Sequence, residues 1–66
     1  MNNPKIGCKL IQLRRSVGKR QQEVADACHI TRQALSNYEL GKRIPDMEMI
    51  LRLSDYYGIT VDELLR

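Results

Sequence analysis

The sequence predicts an all-α domain of five short helices, and three observations carry that prediction. Apolar residues recur at spacings of three and four, and no stretch alternates as a strand would. Gly18 and Gly58 close two of the apolar runs, where glycine accepts the left-handed backbone that ends a helix. Thr31, Asp46 and Thr60 each stand where a side-chain oxygen can cap the free amides of the next helix. The chain has 66 residues and no internal repeat or low-complexity segment, so a single domain over 1–66 is expected.

Taken in order, residues 1–4 read as a loose start. The first helix runs from about residue 5 to 17, with Ile6, Leu10, Leu13 and Val17 on one stripe and Gly18 as its stop. The second helix, about 21–28, begins after Arg20, which has no side-chain acceptor and is the weak point of the pattern. His29 follows as a turn residue between the second and third helices. Thr31 caps the third helix, 32–39, with Ile30 and Leu35 stapled across its start and Gly41 just beyond its end. Residues 42–45 form a short basic loop. Asp46 starts the fourth helix, about 46–57. On it Met47, Ile50 and Leu51 share a face with Ser54, Leu53 and Tyr57 lie beside them, and Met49 and Tyr56 lie opposite. So wide an apolar arc calls for neighbours on two sides or for a subunit contact. Thr60 and Glu63 form a capping box, with Ile59 and Leu64 as its staple, and open a fifth helix at 61–65.

Composition excludes several functions. No apolar run approaches the ~20 residues of a membrane span, and no signal peptide precedes the fold, so a soluble cytoplasmic protein is expected. Cys8 and Cys28 lack metal-ligand spacing and read as reduced thiols, Cys28 in the core; no metal and no cofactor is expected. There is no nucleophile–base pair, no carboxylate dyad, no glycine-rich phosphate loop and no ligand-sensing segment, so the chain is not expected to be an enzyme. Net charge is +3, which alone says little about partners. Its distribution says more. Arg14, Arg15, Lys19, Arg20, Lys42 and Arg43 flank the second and third helices, while Asp46, Glu48, Asp55, Asp62 and Glu63 crowd the last third. A basic front and an acidic back favour an anionic partner at one face.

The stretch 21–38, QQEVADACHITRQALSNY, organises the rest. Val24, Cys28, Ile30, Leu35 and Tyr38 break phase at the turn, so two helices meet there, with the small Ala25 allowing close approach. Arg32, Gln33, Ser36 and Asn37 share one face of the third helix, opposite Ala34, Leu35 and Tyr38. Such a polar face is as a rule only solvated surface. It is also what reading base edges in a major groove requires: Arg suits guanine O6/N7, Gln and Asn suit adenine N6/N7.

The run Gln21-Gln22-Glu23-Val24-Ala25, then Thr31-Arg32-Gln33-Ala34-Leu35-Ser36-Asn37-Tyr38-Glu39-Leu40-Gly41-Lys42-Arg43-Ile44-Pro45, resembles the helix-turn-helix of the phage repressor/Cro-type (XRE-like) regulators. The resemblance covers nearly the whole chain and implies a lambda repressor-like fold and a dimeric repressor on a near-palindromic double-stranded operator. It implies base contacts for Arg32, Gln33 and Asn37, base or backbone contacts for Ser36 and Thr31, and a backbone contact for Gln21. Lys42, Arg43, Arg20 and, more weakly, Lys19 join them as nearby positive charges. It further implies an ion pair between Arg14 and Glu39. The dimer surface is expected in the last third, at Met49, Tyr56, Ile59, Val61 and Leu65, residues that a small core also needs. An antitoxin or adaptor module that binds protein through the same fold is the alternative; the chain lacks a long tail for wrapping a partner.

Overall fold

A computed structural model describes residues 5–66 as five helices: α1 (Lys5–Ser16), α2 (Gln21–Ala27), α3 (Arg32–Glu39), α4 (Met47–Tyr57) and α5 (Val61–Leu65). The loose start expected at 1–4 lies outside the described residues. No strand occurs among the described residues, and the fold is all-α as the periodicity predicts.

Each helix boundary has a local cause. Thr31 Oγ1 accepts the Ala34 N–H at 3.0 Å, and Asp46 Oδ1 accepts the Met49 N–H at 2.9 Å. Thr60 and Glu63 exchange both bonds of the capping box, at 3.0 and 2.9 Å. A cap of this kind contributes about 1 kcal/mol. Arg20 takes the extended cap conformation without a capping side chain. Its own N–H donates to Glu23 Oε1 at 2.8 Å, so α2 is started from inside the helix. That bond holds the Glu23 carboxyl below its ordinary value; the same kind of bond from Thr60 does so for Glu63.

The helix ends share one device. Gly18, His29, Gly41 and Gly58 all have φ between 62 and 78°. After α3, for example, the Lys42 N–H reaches back to the Asn37 carbonyl at 2.9 Å and the Gly41 N–H to Tyr38 at 3.2 Å. His29 is the one side chain in the set, and Ile30 N–H to Ala25 O at 3.0 Å closes the same loop there. Three bounds move by a residue: α1 stops at Ser16, α2 stops at Ala27 with Cys28 as its cap, and α4 starts at Met47 with Asp46 outside it.

All five helices feed one core. Leu10 of α1, Val24 and Ala25 of α2, Leu35 of α3, Leu53 of α4 and Leu64 of α5 are wholly buried, with Ile6, Cys28, Tyr38, Met49 and Ile50 around them. Two expectations need correction. Val17 is half exposed, because the chain turns away at Gly18 before the stripe can continue. On α4 the buried row is Met49, Ile50, Leu53 and Ser54, while Met47 and Leu51 face out. The wheel of α4 allows either row, and the second is the one that joins the common core.

Gly7 shows how closely α1 lies on α3. A Cβ at this position would sit 2.6 Å from the Glu39 carbonyl oxygen and 2.8 Å from that of Tyr38. Glycine inside a helix costs about 1 kcal/mol relative to alanine, so intrinsic propensity alone favours Gly7→Ala. Backbone atoms cannot yield as side chains do, and overpacking of this kind costs typically 1–3 kcal/mol. Gly7→Ala is therefore expected to lower stability by about 1 kcal/mol or more in urea unfolding. A gain in stability would show that α1 can move off α3 freely.

Candidate nucleic-acid interface

Helices α2 and α3 meet through small and apolar side chains. Ala25 and Leu35 are wholly buried, and Ile30 packs against the core from the turn. The turn is also gripped from behind. Arg52 of α4 donates from Nη1 to the Cys28 carbonyl at 3.1 Å and from Nη2 to Glu48 Oε2 at 2.7 Å. Nothing in the periodicity marks Arg52 for this, since the contact joins residues 24 apart. Burial pushes the Cys28 thiol above its ordinary value, which keeps it protonated and inert. Cys8 is exposed.

The far end of α3 is held by a buried carboxylate. Glu39 is only 4% exposed and receives three side-chain donors. Arg14 Nε reaches Oε2 at 2.8 Å and Arg14 Nη2 reaches Oε1 at 3.1 Å, a two-bond fork from α1. Gln21 Nε2 of α2 reaches Oε1 at 2.9 Å. The remaining guanidinium nitrogen, Nη1, donates to the Lys19 carbonyl at 3.1 Å in the loop between α1 and α2. One carboxylate thus ties together α1, α2 and α3. The bond to Glu39 raises the Arg14 pKa, against the opposing effect of burial. Among the described residues the Tyr57 hydroxyl is buried without a hydrogen-bond partner. Burial, then the Glu39 charge, push its pKa up. Tyr57 stacks edge-on against Tyr56, ring centroids 5.0 Å apart.

With Leu35, Tyr38 and Glu39 turned inward, the opposite face of α3 is left outside. Arg32 and Gln33 are exposed, and Ser36 and Asn37 are half-buried beside them. Gln33 Nε2 donates to Asn37 Oδ1 at 3.2 Å. The Asn37 carbonyl in turn accepts the N–H groups of Lys42 at 2.9 Å and Arg43 at 3.3 Å, so the basic loop is folded onto the end of this helix. Both loop side chains, and those of Lys19, Arg20 and Thr31, are exposed. Gln21 differs from these: it is half-buried and its amide is engaged by Glu39.

The residues considered for a dimer surface are spread between core and exterior. Met49 is 7% exposed and part of the core cluster, so it offers little to a second chain. Tyr56, Ile59 and Val61 are half-buried against that cluster, and Leu65 is 41% exposed. More open apolar surface lies at Leu40, Ile44, Met47 and Leu51, outside the residues expected at a dimer surface. Among the described residues no three His, Cys, Asp or Glu side chains are grouped to hold a metal ion, and no helix is long and apolar enough to cross a membrane.

Comparison with known proteins follows the same lines. A family model described as helix-turn-helix matches residues 10–64. The chain is 42% identical over 61 residues to an SPbeta prophage-derived uncharacterized HTH-type transcriptional regulator, YonR, of Bacillus subtilis, covering 92% of this chain and 56% of the relative. It is 33% identical over 60 residues to the cryptic phage CTXphi transcriptional repressor RstR of Vibrio cholerae, covering 91% and 54%. The chain therefore spans about half the length of these curated relatives. Among solved structures, the restriction-modification controller protein C.AhdI from Aeromonas hydrophila superimposes with a TM-score of 0.86 at 30% identity over 91% of both chains.

The orphaned hydroxyl beside the Glu39 site yields a direct test. A buried polar group without a partner costs about 1–3 kcal/mol of desolvation. Tyr57→Phe removes it while keeping the ring, and is expected to leave stability unchanged or raise it by about 1 kcal/mol. That gain corresponds to roughly 4–8 °C in melting temperature for a domain this small. A loss beyond 1 kcal/mol would mean that the hydroxyl is bonded in solution.

Proposed function

The chain belongs to the helix-turn-helix family, and on that premise we propose that it is a sequence-specific DNA-binding transcriptional regulator that acts as a dimeric repressor. The observation that carries this reading is the outward face of α3. Arg32, Gln33, Ser36 and Asn37 present donors and acceptors there, and the one acid of the helix, Glu39, is buried and paired with Arg14. A major groove accepts such a helix and offers the matching base edges. A polyanion approaching it meets no bare carboxylate on α3.

In this reading Arg32, Gln33, Ser36 and Asn37 contact bases. Thr31, Lys42, Arg43 and Arg20 contact the phosphate backbone and set register, with Lys19 beside them. Gln21 serves mainly as a strut, its side-chain amide holding Glu39, and offers its main-chain N–H at the start of α2 to the phosphate backbone. A near-palindromic site with half-sites about 34 Å apart fits a two-fold pair of α3 helices. The second copy docks in the last third, where Leu65 is the most open of Tyr56, Ile59, Val61 and Leu65. The action is cytoplasmic, where the DNA is, and requires no cofactor, small ligand or catalysis. An antitoxin or adaptor role remains the second reading, favoured by the exposed Leu40, Ile44, Met47 and Leu51.

Duplex binding at several salt concentrations separates the two readings. Affinity for a selected site is expected to fall steeply with salt through counterion release. Lys42→Ala should weaken all duplexes alike and reduce the salt slope by about 1, whereas Arg32→Ala should cost about 1–3 kcal/mol and relax preference at a single base pair. Salt-insensitive binding, or no binding beside tight capture of a protein partner, would favour the adaptor role.

A further inference from the structure

The turn between α2 and α3 carries a strained backbone. His29 stands at φ 62°, a conformation that a Cβ disfavours, whereas glycine fills the comparable places at 18, 41 and 58 without that cost. Contacts must balance the strain, and two of them fall on one peptide unit. The plane joining Cys28 to His29 has the Cys28 carbonyl at one edge and the His29 N–H at the other. The N–H donates to the Asp26 carbonyl at 3.2 Å. The Cys28 carbonyl lies beyond the ladder of α2, and among the described residues no main-chain N–H reaches it. Arg52 reaches it from Nη1 at 3.1 Å, while its Nη2 is steadied by Glu48 Oε2 at 2.7 Å. Turning this plane over would carry Cys28 ψ from 2° into the extended range and His29 φ from 62° to negative values. Both are ordinary for a residue with a side chain, so the flipped turn escapes the strain. It also breaks both bonds and changes the angle at which α3 leaves α2.

We propose that Arg52 is a positioning residue that latches the Cys28–His29 peptide in its left-handed turn and so sets the pose of α3. The proposal rests on the DNA-binding reading above. A bond from a guanidinium is stronger than a neutral main-chain bond, so Arg52 supplies the larger share of the hold on this plane. The latch is needed because residue 29 carries a side chain. A glycine there removes the strain and with it the need for Arg52.

Four proteins test this: wild type, Arg52→Met, His29→Gly and the double variant, each studied at a temperature where it is folded. Affinity for a selected duplex, its salt slope and the exchange of the Ile30 N–H are measured; that N–H closes the turn onto the Ala25 carbonyl at 3.0 Å. Arg52→Met should weaken duplex binding and speed Ile30 exchange, each about tenfold, the size of one charge-assisted hydrogen bond. The salt slope should stay as in the wild type, since Arg52 touches no phosphate. His29→Gly alone should change little, and the double variant should recover both affinity and slow exchange. Arg52→Lys, with its charge and a single donor point, should show a smaller loss with the same rescue, and serves where Arg52→Met is too unstable. A salt slope reduced by about 1 would make Arg52 a phosphate contact and overturn the latch. A loss that persists in full beside His29→Gly, or unchanged affinity beside faster exchange, would overturn it too. If the wild type binds no duplex, the DNA-binding reading fails, and Ile30 exchange alone then decides whether the turn is latched.

Discussion

The fold turns on one buried charge. Glu39 closes α3, and its carboxylate is satisfied only because Arg14 from α1 and Gln21 from α2 converge on it. A buried carboxylate without partners costs several kcal/mol, so the three helices must keep this arrangement or lose the site. Gly7 makes the convergence possible by letting the α1 backbone rest on the carbonyls of Tyr38 and Glu39. The same Arg14 reaches the Lys19 carbonyl and so holds the loop that leads into α2. The desolvation of such a pair offsets much of its attraction, so its net contribution to stability is small beside the cost of removing one partner.

That geometry matters because α3 is only eight residues long. A helix of this length is marginal by itself and depends on tertiary packing. Its amino end is fixed by the Thr31 cap and the His29 turn, and its underside by Leu35 and Tyr38. Its carboxyl end is fixed by Glu39 and by the loop amides on Asn37. The turn before it is braced from α4 by Arg52. The outward side chains are therefore presented by a helix that is held at both ends.

What was legible in the sequence was whatever is decided within a few residues. Thr31, Asp46 and Thr60 were readable as caps, and Gly18 and Gly58 as stops, because each acts on amides or carbonyls three to five positions away. The outward face of α3 was readable for the same reason: helical phase places Arg32 and Gln33 opposite Leu35 once the helix is found. Contacts that join distant residues left no periodic trace. The Arg14–Glu39 pair spans 25 positions and came from family resemblance alone; the Gln21 bond to the same carboxylate, the Arg52 brace and the Gly7 contact were not foreseen. On α4 the apolar arc was too broad for phase to choose a side, and so Met49 is inside where a surface role was expected. Arg20 shows a further limit, since the missing cap is supplied by Glu23 reaching backward.

Arg14 and Glu39 act on stability as a coupled pair. A double-mutant cycle with Arg14→Met, Glu39→Gln and both together, followed by urea unfolding, measures that coupling most directly. Arg14 keeps some solvent contact, its side chain being 17% exposed, so an interaction energy of about 1–3 kcal/mol is expected. Single variants whose effects add to within about 0.5 kcal/mol would contradict it, and the pose of α3 would then have to be set by packing alone.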